Sequence, residues 1–234
     1  DAIEAAVRIA ESSGGAVYSE MNTCEINFPG DHEQWVSYLT PDPEMGRAAF
    51  EADTLVFVGF TTNTPYIPYD EPYVPSDATI VDIDVDDADI AKNDPADVAI
   101  VGDLASVMGE LADSVDVSEQ RRRARKRDLP DRRSEAAAFL SVGSESASDG
   151  SISKDTLAAA IADVAPDSYV LNESNTSKFA LLSRFRPGPE QFVSNKNGGL
   201  GYNLPATVGA AVAHREGGDD RPVVGFIGDG SYLY

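Results

Sequence analysis

Short apolar runs that alternate with helical patterns dominate the first half of the chain. The runs typical of β-strands lie at residues 16–18, 54–59, 79–84 and 98–101. Apolar residues at helical spacing or short helix-forming segments lie at residues 2–12, 46–52, 86–91 and 104–111. Strands that alternate with helices in this way predict a parallel α/β sheet.

The same alternation returns after residue 150. Ser153 is placed to cap a helix that carries Leu157 and Ile161 on one face. A strand, a small-residue helix and a run of the length of a buried strand follow at residues 169–171, 205–213 and 223–227. The pattern therefore predicts an α/β protein with two doubly wound parallel-sheet domains.

The stretch between these halves has a different composition. Residues 141–153 are rich in Ser, Gly and Glu, which is typical of a mobile connection. Just before them, residues 121–127 read Arg-Arg-Arg-Ala-Arg-Lys-Arg, the only basic run of the chain. A solvated helix is the favoured interpretation of this run. Pairing with acidic patches of a neighbouring subunit and binding of a polyanion are the alternatives. We predict domains at 1–115 and 151–234, with a linker at 116–150.

Charge narrows the class of protein. Forty acidic and eighteen basic side chains give a net charge of −22. A surface this acidic is typical of a salt-adapted cytoplasmic protein and disfavours nucleic acid as a partner. A disordered or cation-buffering acidic protein fits poorly with the 42% of hydrophobic residues in strand-like runs. The single cysteine, Cys24, excludes an internal disulfide, and no apolar run is long enough to cross a membrane.

Two glycine clusters carry the candidate chemistry. The run at 223–227 stops at Gly228-Asp229-Gly230-Ser231, and a glycine-flanked aspartate at a strand end suits a metal-bridged phosphate. An Asp-Gly hairpin turn is the alternative. The other cluster, Gly198-Gly199-Leu200-Gly201, precedes the small-residue helix. At the end of the strand 169–171, the polar stretch 172–177 can donate to a phosphate beside a helix N-terminus, or it can simply cap that helix.

The order of these features resembles the diphosphate-binding half of the thiamine-diphosphate-dependent 2-oxo acid decarboxylases, which include benzoylformate decarboxylase and acetolactate synthase. Residues 80–104 are also similar in sequence to that family's middle domain. The resemblance implies two cofactors, thiamine diphosphate and Mg²⁺, a small 2-oxo acid substrate, and a homodimer or homotetramer. Because no GxGxxG follows a strand, a dinucleotide site in the first domain has no direct support.

The resemblance also implies roles for individual residues. Asn175 and Thr176 would hold the diphosphate, and the Gly198 carbonyl would accept from the aminopyrimidine. Leu200 would wedge under the bent cofactor, although a core-packing leucine is the alternative for this position. The glycine-flanked turn would hold Mg²⁺ and contact the diphosphate, with Asp229 as the metal ligand beside Gly228, Gly230 and Ser231. No catalytic residue is assigned within the chain.

Measured against that family, the chain is expected to be a fragment. The first domain, with the glutamate that activates the cofactor, is missing, the middle domain is incomplete at its start, and the cofactor-binding domain is truncated before the asparagine that completes the metal motif. We therefore expect the 234 residues alone to be inactive. The Asn172-Glu173-Ser174 motif favours a benzoylformate decarboxylase-like member, whereas the sequence of the middle domain favours acetolactate synthase. A truncated remnant without activity is the non-enzyme alternative.

Overall fold

The computed structural model describes residues 1–20, 24–40, 42–60, 72–92, 94–140, 151–195 and 198–234. The chain forms two compact units. The first contains residues 1–21 and 33–139, and the second contains residues 22–32 and 140–234. The second unit therefore includes a short segment from early in the chain, and the first includes most of the stretch that was predicted as a linker. The Ser-rich connection predicted at 141–153 lies largely outside the described residues.

Parallel pairing organises the first unit. Its elements are α1 (Ala2–Ser13), β1 (Val17–Ser19), β2 (Trp35–Tyr38), α2 (Pro43–Ala49), β3 (Thr54–Val58), β4 (Thr79–Asp84), β5 (Val98–Val101), α3 (Leu104–Ser114) and α4 (Glu119–Leu140). Strands β1 and β2 form a parallel pair, and β3, β4 and β5 form a parallel sheet in that order. The central strand β4 places Ile83, which is fully buried, against Ala5 of α1 and Met108 of α3.

Local sequence explains why α1 begins and ends where it does. The Asp1 side chain accepts from the Glu4 backbone N–H, and the Glu4 carboxylate pairs with the terminal amine at 2.7 Å. This reciprocal arrangement is a capping box. At the other end Gly14 takes a left-handed conformation (φ 73°) and donates its N–H to the Ala10 carbonyl. Glycine is favoured at this position because a side chain is strained there.

Helix α4 contains the basic run and is only partly solvated. Leu129 and Ala136 are almost completely buried in a cluster with Val36 and Met45. Several cations of α4 bind backbone carbonyls of the same unit: Arg125 to Ser13, Arg132 to Ala48 and Glu51, and Arg133 to Trp35. The favoured interpretation of a solvated helix is therefore incomplete, since one face of α4 is a packed part of the first unit.

The second unit has one parallel sheet in the order β7-β6-β8. Its elements are α5 (Lys154–Val164), β6 (Tyr169–Glu173), α6 (Lys178–Phe185), β7 (Phe192–Ser194), α7 (Asn203–Gly217), β8 (Val223–Ile227) and a 3₁₀ turn (Ser231–Leu233). The predicted cap of α5 is confirmed, because Ser153 Oγ accepts from the Thr156 N–H at 3.1 Å. Val170, Leu181 and Phe192, each no more than 1% exposed, form part of the buried centre of this unit.

One predicted helix is wrong. Residues 86–91 form consecutive turns instead, and their aspartates explain the difference. The Asp84 carboxylate accepts from the Asp86 N–H at 3.0 Å, and the Asp86 carboxylate accepts from the Ala88 N–H at 2.9 Å. Short acidic side chains that bond to backbone two residues ahead compete with helical hydrogen bonds. The predicted α/β class with parallel sheets is confirmed. Within the described ranges, no helix is both long and apolar enough to cross a bilayer.

The net charge of −22 leads to a prediction about stability. Excess like charge on the folded protein raises its free energy through self-repulsion, and salt screens that repulsion with a Debye length of about 3 Å at 1 M. We propose that the protein is salt-adapted. Its thermal midpoint should then rise steadily from low salt to about 1 M KCl, and NaCl at equal ionic strength should act equally. A midpoint that stays level or falls, measured by circular dichroism, contradicts this proposal.

Candidate functional site

Three loops of the second unit lie at one edge of its sheet. In the parallel ladder Glu173, the last residue of β6, stands opposite Ile227, the last residue of β8. Ser194, the last residue of β7, stands opposite Asn172. The segments that leave these strands, 174–177, 195–202 and 228–231, therefore start from the same carboxyl edge. In open parallel α/β sheets this is the edge where ligands bind.

The loop before α7 exposes its backbone. Gly198 and Gly201 have φ values of 67° and 90°, which favour glycine. A methyl group at Gly198 would meet no atom of the described residues within 4 Å, so the backbone there is open on that side as far as the described part of the chain goes. Leu200 is 52% exposed, and core packing among the described residues therefore does not explain it. The Gly199 carbonyl accepts from the Asn195 side-chain amide at 2.6 Å, which holds one side of the loop.

The Glu173 carboxylate holds the other side of this loop, and sequence reasoning assigned it no role. One carboxylate oxygen accepts from the Gly201 N–H at 2.5 Å and the other from the Asn203 N–H at 2.6 Å. Glu173 is 9% exposed. Its position as an acidic residue at the end of an apolar strand was the available signal. The two N–H groups that it binds, on Gly201 and Asn203, lie 28 and 30 residues further along the chain, and local sequence patterns do not reveal contacts over such distances.

Some of the polar groups at the end of β6 are hydrogen-bonded within the protein itself. The Asn172 side chain accepts from the Ser174 hydroxyl at 2.7 Å and donates to Ser194 Oγ at 3.2 Å. The Tyr202 hydroxyl donates to the Asn172 carbonyl at 2.9 Å. Burial, with a further contribution from the negative charge of Glu173, raises the pKa of Tyr202 to about 12. Tyr202 therefore remains a hydrogen-bond donor at neutral pH.

Asn175 and Thr176 are exposed at the entry to α6. The N-cap of that helix, Ser177, makes no side-chain capping bond. Thr176 accepts from Lys154 Nζ at 3.3 Å, but only through its backbone carbonyl. Among the described residues, the side chains of Asn175 and Thr176 have no hydrogen-bond partner. The alternative that these residues merely cap a helix therefore lacks the hydrogen bond that it requires.

The turn after β8 is not a hairpin. The Gly228 carbonyl accepts from the Tyr232 N–H at 3.0 Å, and the chain enters a 3₁₀ turn at Ser231. A methyl group built on Gly228 would lie 3.8 Å from the Glu173 carbonyl, so this turn adjoins the end of β6. Asp229 and Gly230 are exposed, and a methyl group at Gly230 would meet nothing within 4 Å.

These residues fit a diphosphate held through a divalent cation. Within the described part of the chain, no three or more His, Cys, Asp or Glu side chains cluster as a ready metal cage. Asp229 instead offers a single carboxylate on an open turn. Mg²⁺ is usually bound by one or two carboxylates together with substrate phosphates and waters. Asn175 and Thr176 follow β6, the strand next to β8 in the sheet. Their amide and hydroxyl side chains have unused donors that suit phosphate oxygens.

Both units match models of one protein family. Residues 1–111 match "Thiamine pyrophosphate enzyme, central domain", and residues 174–234 match "Thiamine pyrophosphate enzyme, C-terminal TPP binding domain". Thiamine pyrophosphate is another name for thiamine diphosphate. The second match contains every residue that was assigned to the cofactor from the sequence. A thiamine pyrophosphate-binding domain is therefore present in the second unit.

Curated relatives resemble part of the chain. The acetolactate synthase large subunit of Parasynechococcus marenigrum is 30% identical over 155 residues, which cover 62% of this chain and 22% of the relative. The benzoylformate decarboxylase of Pseudomonas aeruginosa is 32% identical over 142 residues, which cover 60% of this chain and 24% of the relative. The matched region thus spans about a quarter of the length of either relative.

Solved structures cover nearly the whole chain. A thiamin diphosphate-dependent enzyme from Mycobacterium smegmatis is 26% identical with a TM-score of 0.78, over 100% of this chain and 43% of that one. A 4-hydroxybenzoylformate decarboxylase from Rhodococcus jostii RHA1 is 26% identical with a TM-score of 0.75, over 99% and 41%. Benzoylformate decarboxylase from Polynucleobacter necessarius, at 22% identity, shares the fold with a TM-score of 0.80, over 100% and 42%. The chain therefore belongs to the thiamine pyrophosphate enzymes and carries sequence of both their central and their C-terminal cofactor-binding domains.

Proposed function

We propose that the whole protein is a thiamine diphosphate- and Mg²⁺-dependent enzyme that decarboxylates or carboligates 2-oxo acids, and that it is benzoylformate decarboxylase-like. One observation carries this proposal. The unpartnered side chains of Asn175 and Thr176, the exposed carboxylate of Asp229 and the open backbone of Gly198 all belong to loops at a single sheet edge in the cofactor-binding unit.

Each residue has a binding or orienting role in this proposal. Asn175 and Thr176 donate to diphosphate oxygens, and Asp229 binds Mg²⁺. Gly228 and Gly230 let the backbone approach closely, while the Ser231 hydroxyl provides one more donor. The Gly198 carbonyl would accept from the aminopyrimidine, and the exposed Leu200 side chain would support the cofactor. Bound thiamine diphosphate supplies the electron sink for the reaction, and the protein supplies placement and electrostatics.

The charge of the protein strengthens the case for a metal. A diphosphate adds two or more negative charges to a chain whose net charge is already −22. A divalent cation between Asp229 and the diphosphate offsets that repulsion, because unlike charges in contact attract most strongly where water is partly excluded. Mg²⁺ is the proposed ion because its preferred ligands are hard oxygens.

A carboligase like acetolactate synthase is the second candidate. It is supported by the 30% identity to the Parasynechococcus marenigrum acetolactate synthase large subunit. A homodimer or homotetramer is proposed for the whole protein. The exposed apolar residues Leu204, Val208 and Val212, spaced four apart on α7, support it as a surface that another chain segment or subunit would cover.

The test is an assay of the whole protein with thiamine diphosphate and Mg²⁺. We expect CO₂ release from benzoylformate, with turnover lost when Mg²⁺ is removed by a chelator and restored when it is added back. Formation of acetolactate from pyruvate, without turnover of benzoylformate, would favour the second candidate. An absence of turnover on both substrates, in a protein shown to be folded, would contradict the proposed function and leave the non-catalytic remnant.

A further inference from the structure

Helix α7 has no cap from its own sequence. Its N-cap residue, Tyr202, makes no side-chain capping bond. The Glu173 carboxylate replaces that cap from the neighbouring strand, with one oxygen on the Gly201 N–H and the other on the Asn203 N–H. Free N–H groups and the positive end of the helix dipole make this a favourable place for a carboxylate.

We propose that Glu173 is a positioning residue for the cofactor, which no part of the family resemblance assigns. Its carboxylate ties the loop 198–202 to the end of β6, and this sets where the Gly198 carbonyl and the Leu200 side chain stand. The inference rests on the proposed function, since it is the thiamine diphosphate site that the loop would serve.

The loop needs such a tether because its own backbone is permissive. Gly198, Gly199 and Gly201 have no side chains to pack, and Leu200 is half exposed. Glycine-rich segments have more accessible conformations than others, so an unrestrained loop would place its carbonyl in many positions. Two charge-assisted bonds, to the N–H groups of Gly201 and Asn203, restrict it, and such bonds are roughly twice as strong as neutral ones.

Glu173 also connects two parts of the site. It is the last residue of β6, and Asn175 and Thr176 follow it by only two and three residues. The same residue is therefore attached covalently to the proposed diphosphate loop and by hydrogen bonds to the proposed pyrimidine loop. The Tyr202 hydroxyl, which donates to the Asn172 carbonyl at 2.9 Å, is a second and neutral tether between the same two segments.

Glu173→Gln is the informative substitution. It keeps the size of the side chain, but one of its two terminal atoms becomes an NH₂ group that has nothing to offer a backbone N–H. One of the two bonds is lost, and the other loses its charge. Glu216→Gln makes the same chemical change at an exposed glutamate of α7 and is the matched control.

The experiment uses the whole protein and two readouts. Hydrogen exchange without cofactor should show about tenfold faster exchange of the Gly201 and Asn203 amides in Glu173→Gln, with Val170 unchanged. Titration with thiamine diphosphate and Mg²⁺ should show at least about tenfold weaker binding, whereas Glu216→Gln should match the wild type in both readouts. A merely structural defect would instead speed exchange throughout the unit, Val170 included.

Each other outcome is decisive. Unchanged exchange at Gly201 and Asn203 would overturn the tether, and faster exchange with unchanged affinity would overturn the positioning role. If the wild type binds no cofactor, the proposed function fails and the positioning role with it, while the exchange readout still reports the tether separately. If Glu173→Gln does not fold, Tyr202→Phe removes the neutral tether, and we expect about threefold weaker cofactor binding. Unchanged affinity in that variant would overturn the proposal.

Discussion

Asp229→Ala should weaken the binding of thiamine diphosphate with Mg²⁺ by at least about a hundredfold. Asp229 is the only acidic residue of the turn 228–231, and no cluster of metal-ligating side chains stands ready to replace it among the described residues. Without it, the diphosphate charges would meet a strongly negative protein with no protein-bound metal between them. Because Asp229 is exposed, the change in folding stability should remain within about 0.5 kcal/mol.

Leu200→Ala is the contrasting variant. On the proposed function it would remove apolar support for the cofactor but no charge, so binding should remain measurable while the maximal rate falls. Both variants would be titrated calorimetrically with thiamine diphosphate at saturating Mg²⁺, and their thermal midpoints compared with the wild type. Wild-type affinity in Asp229→Ala would refute the metal assignment. An equal loss of affinity in both variants would show that the effect is not specific to the metal ligand.

Gly14→Ala should destabilise the first unit by about 2 to 5 kcal/mol. Two effects add at this position. The left-handed backbone (φ 73°) costs about 1 to 2 kcal/mol for a residue with a side chain. In addition, a methyl group would lie 2.7 Å from the Arg122 carbonyl oxygen and 3.0 Å from the Arg122 Cα. Because these are backbone atoms of α4, relief requires a shift of that helix, and overpacking of this kind typically costs about 1 to 3 kcal/mol.

Gly109→Ala, in the same unit, is the matched control. Gly109 lies inside α3, and a methyl group there would meet nothing within 4 Å. Alanine is the better helix former, so this variant should be about 0.5 to 1 kcal/mol more stable than the wild type. Urea unfolding of both variants measures the difference. A Gly14→Ala protein as stable as the wild type would contradict the described contact between α1 and α4.

Much of the fold follows from local pattern. Strands β3, β4, β5 and β8 were predicted within a residue or so, because each is a short segment rich in Val, Ile and other apolar residues whose neighbours end it. Helices α1 and α5 were predicted from apolar spacing, and α5 also from its Ser153 cap, which lies three residues from the N–H group that it bonds. Interactions of this range leave a readable signal in the sequence.

Other elements carried too little local signal. Strand β2 (Trp35–Tyr38) mixes Ser37 into a fully buried four-residue run, and β7 has only three residues, so neither shows a period. Residues 86–91 form turns although the sequence predicts a helix there, because side-chain bonds from Asp84 and Asp86 to the backbone decide their shape.

For the candidate site, short sequence motifs predict the chemistry, whereas the spatial arrangement of those motifs follows from long-range contacts. The glycine-flanked Asp229, the amide and hydroxyl residues Asn175 and Thr176, and the family to which they point can all be recognised as short motifs. That their loops leave one sheet edge depends on parallel pairing of β6 with β7 and β8. That Glu173 restrains the loop before α7 depends on hydrogen bonds across 28 and 30 residues. Contacts at such distances arise only when the chain has folded, since no residue near Glu173 in sequence records which N–H groups its carboxylate will meet.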